Sequence, residues 1–307
     1  MNPKDEIDVL LATFNGELYL KEFLDSLYAQ QQVSIHLIVS DDGSTDSTLK
    51  ILESYKSKFT KFTLLSGPQD GPMRNFFFLL RASKGIYIAL ADQDDIWNKD
   101  HLKNSVDRIR TSECPSMTFT SVEQFDELTN YRKLWPSHYN GPEFPGIIFE
   151  NTARGCTFVL NQQARELVNL KEPRNAIMHD WWILLLIQLY GKVVFEPKPE
   201  IQYRLHSKNF VGVSNRKMLA FIKTVRRGKW LPLVQLQELL DFSDTKFQKI
   251  ETFDLELFTK NLQGNFFLRL SRIICAGSFR YRQSRADEIK LRIGLIFLKT
   301  LNRKGVI

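Results

Sequence analysis

Four aspartates lie within nine residues, directly after an apolar run, in the segment ALADQDDIWNKD. Three of them, Asp92, Asp94 and Asp95, are separated only by Gln93, and Asp100 follows five residues later. Like charges this close together raise one another's pKa unless a cation neutralises them. Two interpretations are open: a solvated acidic turn, or oxygen ligands for a divalent cation that also binds phosphate groups and water. The D-x-D spacing at the end of a predicted strand favours the cation.

A second acidic segment, SDDGSTDST, contains Asp41 and Asp42 and follows another apolar run. Asp, Gly and Ser favour turns and helix caps for local reasons, but a carboxylate here can also accept hydrogen bonds from a nucleobase or a ribose. The segment lacks G-x-G-x-x-G, which argues against a dinucleotide site. For a phosphate group, Arg74 at the start of a predicted helix is the best-placed basic side chain.

A third carboxylate, Asp180, begins an otherwise apolar helix predicted for residues 177–190, IMHDWWILLLIQLY. It is either a helix N-cap or a positioned functional carboxylate. The two roles are compatible, because a helix N-terminus stabilises negative charge. Trp181 and Trp182 are most simply core residues, although one of them could stack on a sugar. His206, considered alone, is most simply a surface or core histidine.

Short apolar runs and helical periodicities alternate along the first hundred residues. We expect strands at residues 7–12, 35–39, 62–65 and 86–91, with helices at residues 18–27, 46–55 and 75–82 between them. This alternation predicts βαβ units, hence an α/β fold with a mostly parallel sheet flanked by helices. Ligands collect beyond the carboxyl ends of such strands. The segments TFNG, SDDGSTD and ADQDD should therefore converge on one rim.

The rest of the chain is less regular. Residues 131–146 contain Pro and Gly and predict a surface loop, whereas residues 154–160, 193–195 and 201–205 predict strands. From residue 216 the pattern is helical. We therefore expect two domains, an α/β domain at residues 1–215 and a basic helical extension at residues 216–307.

Composition excludes several classes of protein. The chain has 307 residues, of which 43% are hydrophobic and 25% charged, as in ordinary globular proteins. Its three widely spaced cysteines form neither a disulfide framework nor a zinc pattern, which favours a cytoplasmic location. We see no signal peptide, and no apolar run approaches the roughly 20 residues of a membrane-spanning helix.

The net charge of +7 is concentrated in the last third, where 19 Lys and Arg stand against 8 Asp and Glu from residue 216 onward. Apolar helical faces at residues 266–274 and 289–297 are flanked by basic side chains. They either pack on the first domain or a second copy in a homodimer, or bind an anionic membrane surface peripherally, on the inner face of the cell membrane. Nucleic acid is not expected, because no basic patch is interleaved with stacking aromatics.

Seven segments together resemble one family. TFNG, SDDGSTDST, MRNF and ADQDDIW, in this order, resemble the inverting nucleotide-sugar glycosyltransferases of family 2, which have the GT-A fold. RGCTFVLN, MHDWW and YRLHSKN resemble the second half of the same family. The resemblance covers about residues 8–209. Within the family, ADQDDIW and HDWW most resemble rhamnosyltransferases.

The resemblance implies roles for individual residues. The nucleotide would contact Thr13, Asn15, Asp42 or Asp41, and, on its ribose side, Asp92. Mg²⁺ or Mn²⁺ would be bound by Asp94 and His206. Asp180 would be the general base. Further candidates are Asp95, Arg204 and His179, which stands where the family usually has Glu.

The implied reaction is metal-dependent, inverting transfer of a sugar from a nucleoside diphosphate to a saccharide or lipid-linked glycan in bacterial surface-polysaccharide synthesis. One carboxylate takes the acceptor's proton, and the metal stabilises the departing diphosphate, so that no second carboxylic acid is needed. The donor indicated is dTDP-L-rhamnose, with a UDP-hexose as the alternative. Two further hypotheses are a non-catalytic sugar-nucleotide-binding subunit and a hydrolase of nucleotide sugars.

Overall fold

The computed structural model of the protein describes residues 5–136, 146–206, 231–242, 288–289 and 291–292. The chain divides into two compact units. The first comprises Met1–Tyr139, Ala153–Glu172 and Met178–Lys208, and the second comprises Asn140–Thr152, Pro173–Ile177 and Asn209–Ile307. The predicted domain boundary at residue 215, and nearly all of the apolar and basic faces predicted after it, lie outside the described residues.

The first unit is built on a nine-stranded sheet. Its strands are β1 (Asp5–Thr13), β2 (Val33–Asp41), β3 (Lys61–Ser66), β4 (Tyr87–Ala91), β5 (Ile96–Trp97), β6 (Ser116–Asp126), β7 (Tyr131–Trp135), β8 (Val159–Asn161) and β9 (Lys192–Arg204). Their order is β3-β2-β1-β4-β8-β6-β9-β5, with β7 paired to β6. The first four in chain order run parallel, as do β6 and β9. The predicted α/β architecture is confirmed.

The register of the parallel strands places three loops at one rim. Thr13, the last residue of β1, pairs with Asp41, the last residue of β2, and Leu11 of β1 pairs with Ala91, the last residue of β4. The central residues Val9, Leu10 and Leu11 of β1 have no exposed surface, so both faces of this strand are covered, as is typical of parallel strands in an α/β fold. The loops after β1, β2 and β4 therefore meet, as predicted.

Helices cover the sheet, and the spacing of apolar residues within each helix determines which side chains face it. The described helices are α1 (Leu20–Tyr28), α2 (Thr48–Tyr55), α3 (Gly71–Ala82), α4 (His101–Ile109), α5 (Gly146–Phe149), α6 (Gln162–Asn169), α7 (His179–Tyr190) and α8 (Leu231–Leu240). In α1 the buried side chains, Leu20, Phe23, Leu24 and Leu27, recur every three or four residues and join the core. In α7 all residues but Gln188 are buried.

Three predictions for the middle of the chain were wrong in detail. Residues 131–135, predicted as part of a loop, form β7, which pairs antiparallel with the end of β6 after a turn at Asp126. Residues 155–157, predicted as strand, form a 3₁₀ turn, and β8 begins only at Val159. The two short strands expected at residues 193–195 and 201–205 are one strand, β9, whose register with β6 shifts between Thr120 and Val122. Local periodicity could not show this shift, because it depends on the partner strand.

In the second unit, hydrogen bonds join helix α8 to the backbone of residues 174–177. The Glu238 carboxylate of α8 accepts hydrogen bonds from the backbone N–H groups of Arg174 and Asn175, each at 2.7 Å. Gln235 Oε1 accepts another from the Ile177 N–H at 2.9 Å. Two side chains of one helix thus hold the backbone of residues 174–177. Among the described helices, none has the length and apolar character needed to cross a bilayer.

Candidate active site

The loops after β1 and β4 are joined by one amide side chain. Gln93 Oε1 accepts a hydrogen bond from the Phe14 N–H, and Gln93 Nε2 donates to the Phe14 carbonyl, both at 3.0 Å. A Cβ at Gly16 would clash with the Gln93 side-chain amide, so a larger residue there would have to displace this amide from Phe14. In the sequence Gln93 appears only as the residue between Asp92 and Asp94. Its role was missed because no local pattern reports a partner 79 residues away.

Asp41 organises the loop after β2. Its carboxylate accepts hydrogen bonds from Thr13 Oγ1 at 2.8 Å and Ser44 Oγ at 2.6 Å, and from the backbone N–H groups of Ser44 and Gly43 at 2.8 and 3.2 Å. Gly43 has φ +95, which favours glycine. Both oxygens of Asp41 are therefore engaged within the protein, as in the turn interpretation.

Asp42 and Asn15 hold neighbouring loops at the same rim. The Asp42 carboxylate accepts hydrogen bonds from the N–H groups of Gln69 at 2.7 Å and Gly71 at 3.0 Å. Asn15 Oδ1 accepts one from the Thr45 N–H at 2.9 Å. The structure thus brings together four residues predicted to contact a nucleotide, namely Thr13, Asn15, Asp41 and Asp42, and their contact with a nucleotide stays a prediction.

Arg74, the predicted phosphate ligand, lies on α3 and forms an ion pair with Glu172. Arg81, two turns further along α3, pairs with the other oxygen of Glu172. Burial alone would raise the pKa of Glu172, but the hydrogen bonds from the two arginines outweigh it and lower the pKa. Glu172 therefore remains charged and opposes any anion that approaches Arg74.

Asp94 and His206, the two predicted metal ligands, are in contact. His206 Nε2 lies 2.7 Å from Asp94 Oδ2, and both side chains remain partly exposed. The His206 ring stacks on Tyr19, with 5.0 Å between ring centroids. The loop after β4 and the end of β9 thus place a carboxylate and an imidazole side by side.

Arg204 supports this pair from within the protein. Its Nε donates to the Asp94 carbonyl at 3.0 Å, and its guanidinium also contacts the carboxylates of Glu22 and Glu127. The guanidinium carbon lies 4.6 Å from the Tyr19 ring centroid. With a side chain 3% exposed, Arg204 anchors the loop that carries Asp94.

A group of acidic side chains lies beside the Asp94–His206 pair. Ligand atoms of Asp92, Asp95 and Cys156 all lie within 4.8 Å of one another. Burial, together with the charges of Asp94 and Asp180, raises the pKa of Asp92 to about 7, while Arg154 acts in the opposite direction. Burial and the nearby carboxylates raise the pKa of Asp95 well above its ordinary value. The rim thus has the excess negative charge that a cation would relieve.

The donor set suits a divalent cation such as Mg²⁺ or Mn²⁺. Carboxylate oxygen is the ligand that these ions prefer, and imidazole is accepted by transition metals. Two adjacent ligands of an octahedral ion at about 2.1 Å lie about 3 Å apart. The 2.7 Å between Asp94 Oδ2 and His206 Nε2 is close to that spacing.

Burial and the Asp95 charge raise the pKa of the Cys156 thiol, which argues against a nucleophilic role.

Asp180 lies in the first turn of α7, whose N-cap is Met178. The N-cap interpretation of Asp180 was therefore wrong by position. Its carboxylate accepts hydrogen bonds from the N–H groups of Trp181 at 2.6 Å and Gly155 at 3.3 Å. Because Gly155 is followed by Cys156, which lies beside Asp92 and Asp95, Asp180 is adjacent to the same acidic rim.

His179 packs inside the protein beside Asp180. Its ring stacks on Phe76 with 3.9 Å between centroids, and burial lowers its pKa to about 4. Neither ring nitrogen has a hydrogen-bond partner within the described part of the chain. A Cβ at Gly155 would lie 2.7 Å from His179 Nε2. His179 is thus an uncharged packing residue at neutral pH. Trp182, with no exposed surface, is also a core residue.

Comparisons with known proteins agree with this geometry. The model of glycosyl transferase family 2 matches residues 8–163, more than half of the chain. The chain belongs to this family and is a glycosyltransferase. It is 27% identical over 301 residues to the dTDP-rhamnosyl transferase RfbG of Shigella flexneri, covering 93% of this chain and 99% of that protein.

Other relatives are more distant or much longer. The chain is 34% identical over 178 residues to the poly(ribitol-phosphate) beta-N-acetylglucosaminyltransferase TarS of Staphylococcus aureus, but the match spans 28% of TarS and 57% of this chain. The crystal structure of TarS residues 1–349 with UDP-GlcNAc superposes with a TM-score of 0.59 at 17% identity, covering 93% of this chain and 78% of that one. The structure of a mannosyltransferase from Pyrobaculum calidifontis in complex with GDP-Man and Mn²⁺ superposes with a TM-score of 0.57 at 14% identity. The superposition covers 96% of this chain and 86% of that one. The fold is GT-A.

Proposed function

We propose that this protein transfers L-rhamnose from dTDP-L-rhamnose to a glycan or lipid-linked saccharide, with inversion at the anomeric carbon and dependence on Mg²⁺ or Mn²⁺. The observation that carries the reaction type is the contact between Asp94 and His206 beside Asp92 and Asp180. The choice of donor is supported by the similarity to the Shigella dTDP-rhamnosyl transferase along nearly the whole chain.

In this proposal Asp94 and His206 bind the cation. Bound there, the ion would stabilise the negative charge that develops on the departing diphosphate. Asp92 lies beside this pair. Burial and the charges of Asp94 and Asp180 raise the pKa of its carboxyl to about 7, and a bound cation would act in the opposite direction. Asp95 is fully buried and accepts a hydrogen bond from the Arg204 N–H at 3.2 Å. We therefore assign Asp95 and Arg204 to positioning and not to substrate contact.

Asp180 is the proposed general base. It takes the proton of the acceptor hydroxyl as that oxygen attacks the anomeric carbon. The hydrogen bonds from Trp181 and Gly155 orient its carboxylate, and the positive end of α7 stabilises its negative charge. His179, packed on Phe76, supports the start of that helix.

The nucleotide would lie along Thr13, Asn15 and the loop of Asp41 and Asp42. Since Asp41 uses both oxygens within the protein, Asp42 is the better candidate for a base contact. Binding there would require Asp42 to exchange or share its hydrogen bonds from Gln69 and Gly71. Arg74 would have to be shared with Glu172 in the same way before contacting a phosphate.

The specific test is a donor panel with and without acceptor. Purified protein is incubated with dTDP-L-rhamnose, UDP-glucose, UDP-GlcNAc or GDP-mannose, with Mn²⁺ or EDTA, and with or without lipid-linked saccharide from a surface-polysaccharide pathway. We expect release of dTDP from dTDP-L-rhamnose that needs both metal and acceptor.

Each competing hypothesis predicts a different result. Turnover of a UDP-sugar in place of dTDP-L-rhamnose would support the UDP-hexose alternative. Release of nucleotide without acceptor would indicate a hydrolase. Binding of a nucleotide sugar without turnover of any acceptor would indicate a non-catalytic subunit. The binding of the C-terminal residues to a membrane or a second copy stays a prediction outside the described residues.

A further inference from the structure

Arg154 has an unusual environment next to the acidic rim. Its guanidinium carbon lies 4.2 Å from the ring centroid of Trp135 and 5.0 Å from that of Tyr203. Trp135 ends β7 and Tyr203 lies near the end of β9. Two strands that pair with β6 therefore supply an aromatic ring each to hold one arginine.

The guanidinium has no hydrogen-bonding partner in the described part of the chain. Arg154 Nε is buried and makes no hydrogen bond there, and no described carboxylate forms an ion pair with this side chain. An arginine is always charged and presents five N–H donors in a planar fork. Leaving such a donor buried and unpaired is unfavourable. The stacking fixes the position of the fork while its hydrogen bonds remain available.

A purely structural role in neutralising the acidic rim does not account for this arrangement. Other buried or half-buried arginines of the first unit do have partners. Arg204 pairs with Glu22 and Glu127, Arg108 pairs with Glu200, and Arg165 donates a hydrogen bond to the Ser83 carbonyl at 2.7 Å. Arg154 directly precedes Gly155, whose N–H donates to the Asp180 carboxylate, and Cys156, whose thiol lies beside the carboxylates of Asp92 and Asp95. Arg154 thus lies near the rim carboxylates without being paired to them.

A phosphate group supplies the negatively charged hydrogen-bond acceptors that Arg154 lacks within the described residues. Its oxygens match the planar fork of a guanidinium in a two-point contact. The proposed function puts a nucleoside diphosphate at the same rim. During transfer the bond from the anomeric carbon to the phosphate oxygen breaks, its electron pair stays on that oxygen, and a new bond forms to the acceptor oxygen. The acceptor's proton passes to Asp180. Negative charge therefore grows on the diphosphate as it leaves.

We propose that the Arg154 guanidinium is a binding site for the sugar-bearing phosphate of the donor, and that it supplies a second positive charge to the leaving diphosphate alongside the cation at Asp94 and His206. This inference rests on the proposed function. Trp135 and Tyr203 are its positioning residues, because they hold the guanidinium without using its hydrogen bonds.

The test compares dTDP with dTMP, which lacks the second phosphate. Calorimetric titrations of both nucleotides in Mn²⁺ are made on the full chain, on Arg154→Met and on Arg154→Lys. We expect Arg154→Met to lower the affinity for dTDP about tenfold to a hundredfold, the value of a charged hydrogen bond, and to leave dTMP affinity within about twofold. Arg154→Lys should fall between, because it keeps the charge but loses the fork.

Arg132→Met is the matched control. Arg132 also stacks on an aromatic ring, 5.6 Å from the Phe125 centroid, but it is paired with Glu123 at 2.8 Å. We expect this variant to bind both nucleotides like the wild type. Circular dichroism and the melting temperature establish that the variants fold. If Arg154→Met does not fold, Arg154→Lys decides, with at least a threefold loss for dTDP expected.

Three results would overturn the inference. The first is an unchanged affinity for dTDP in Arg154→Met or in Arg154→Lys. The second is an equal loss of affinity for dTMP and dTDP. The third is an effect confined to the KM of the acceptor, which would mean that Arg154 binds an anion of the acceptor. If wild-type protein binds no dTDP in Mn²⁺, the proposed donor is wrong, and this is known before any variant is measured.

Discussion

Asp94 Oδ2 lies 2.7 Å from His206 Nε2, although 112 residues separate the two in the chain. Asp94 follows β4, and His206 follows β9, two strands that are not neighbours in the sheet. Arg204 connects them, since its backbone N–H binds Asp95 and its side chain binds the Asp94 carbonyl. The candidate metal pair is therefore fixed by the ends of two strands and by one buried arginine.

Replacing either member of this pair should remove the response to metal. We expect His206→Ala and Asp94→Asn to lose the increase in melting temperature that Mn²⁺ and dTDP together give the wild type, because binding to the folded state raises apparent stability. His36→Ala is the control, since His36 also contacts an aspartate, Asp8, at 3.0 Å but lies away from the rim. An undiminished Mn²⁺ response in His206→Ala would contradict the assignment.

Asp180→Asn should separate binding from transfer. The amide keeps the shape of the side chain but cannot take a proton, so we expect kcat to fall by about 10² to 10⁴. The Kd of dTDP should stay within about twofold. Steady-state rates and calorimetric titration provide the two readouts. Transfer at the wild-type rate would show that another group is the base.

Gly155→Ala should disturb the base through packing. The new methyl group would lie 2.7 Å from His179 Nε2 and 3.1 Å from Asp180 Cβ. We expect the free energy of unfolding to fall by about 1–3 kcal/mol and kcat to fall with it.

A double-mutant cycle with His179→Ala identifies the cause of that loss. Removal of the ring removes the clash, so the double variant should be more stable than the sum of the single effects by about 1 kcal/mol. Urea denaturation measures each corner of the cycle. Strict additivity would mean that the methyl group meets something other than His179.

Stability in acid should depend on Glu200. Burial alone would raise the pKa of Glu200, but hydrogen bonds from His101 and Arg108 outweigh it and lower the pKa from 4.5 to about 2. Because the folded-state pKa lies below the unfolded one, the stabilisation is complete above about pH 5 and is lost as the pH falls towards 2. This stabilisation is on the order of 3 kcal/mol.

Glu200→Gln should therefore be less stable at pH 7 and should lose less stability between pH 5 and pH 3. Urea denaturation across this range provides the measurement. Glu123→Gln is the control, since the exposed pair of Glu123 with Arg132 contributes about 0–1 kcal/mol. A parallel loss of stability in wild type and Glu200→Gln would contradict the pKa argument.

The sequence alone determined the alternation of strands and helices and the rim at which the loops meet. Both follow from the pattern of apolar residues. Strands buried on both faces are short continuous apolar runs, as at residues 7–12, whereas helices repeat an apolar residue every three or four positions, as at Leu20, Phe23 and Leu27. Motif resemblance then named Asp94, Asp180 and His206, which the structure places at or beside that rim.

Only the tertiary structure decided what those side chains touch. It showed that Arg204 anchors a loop and that Gln93 joins two loops. It also showed that two aromatic rings hold Arg154, which makes no hydrogen bond within the described residues. The same side chains have the same local pattern whether they bind a substrate or a distant backbone group. Strand register and the closeness of residues far apart in the chain settle that choice, and neither leaves a periodic signal in the sequence.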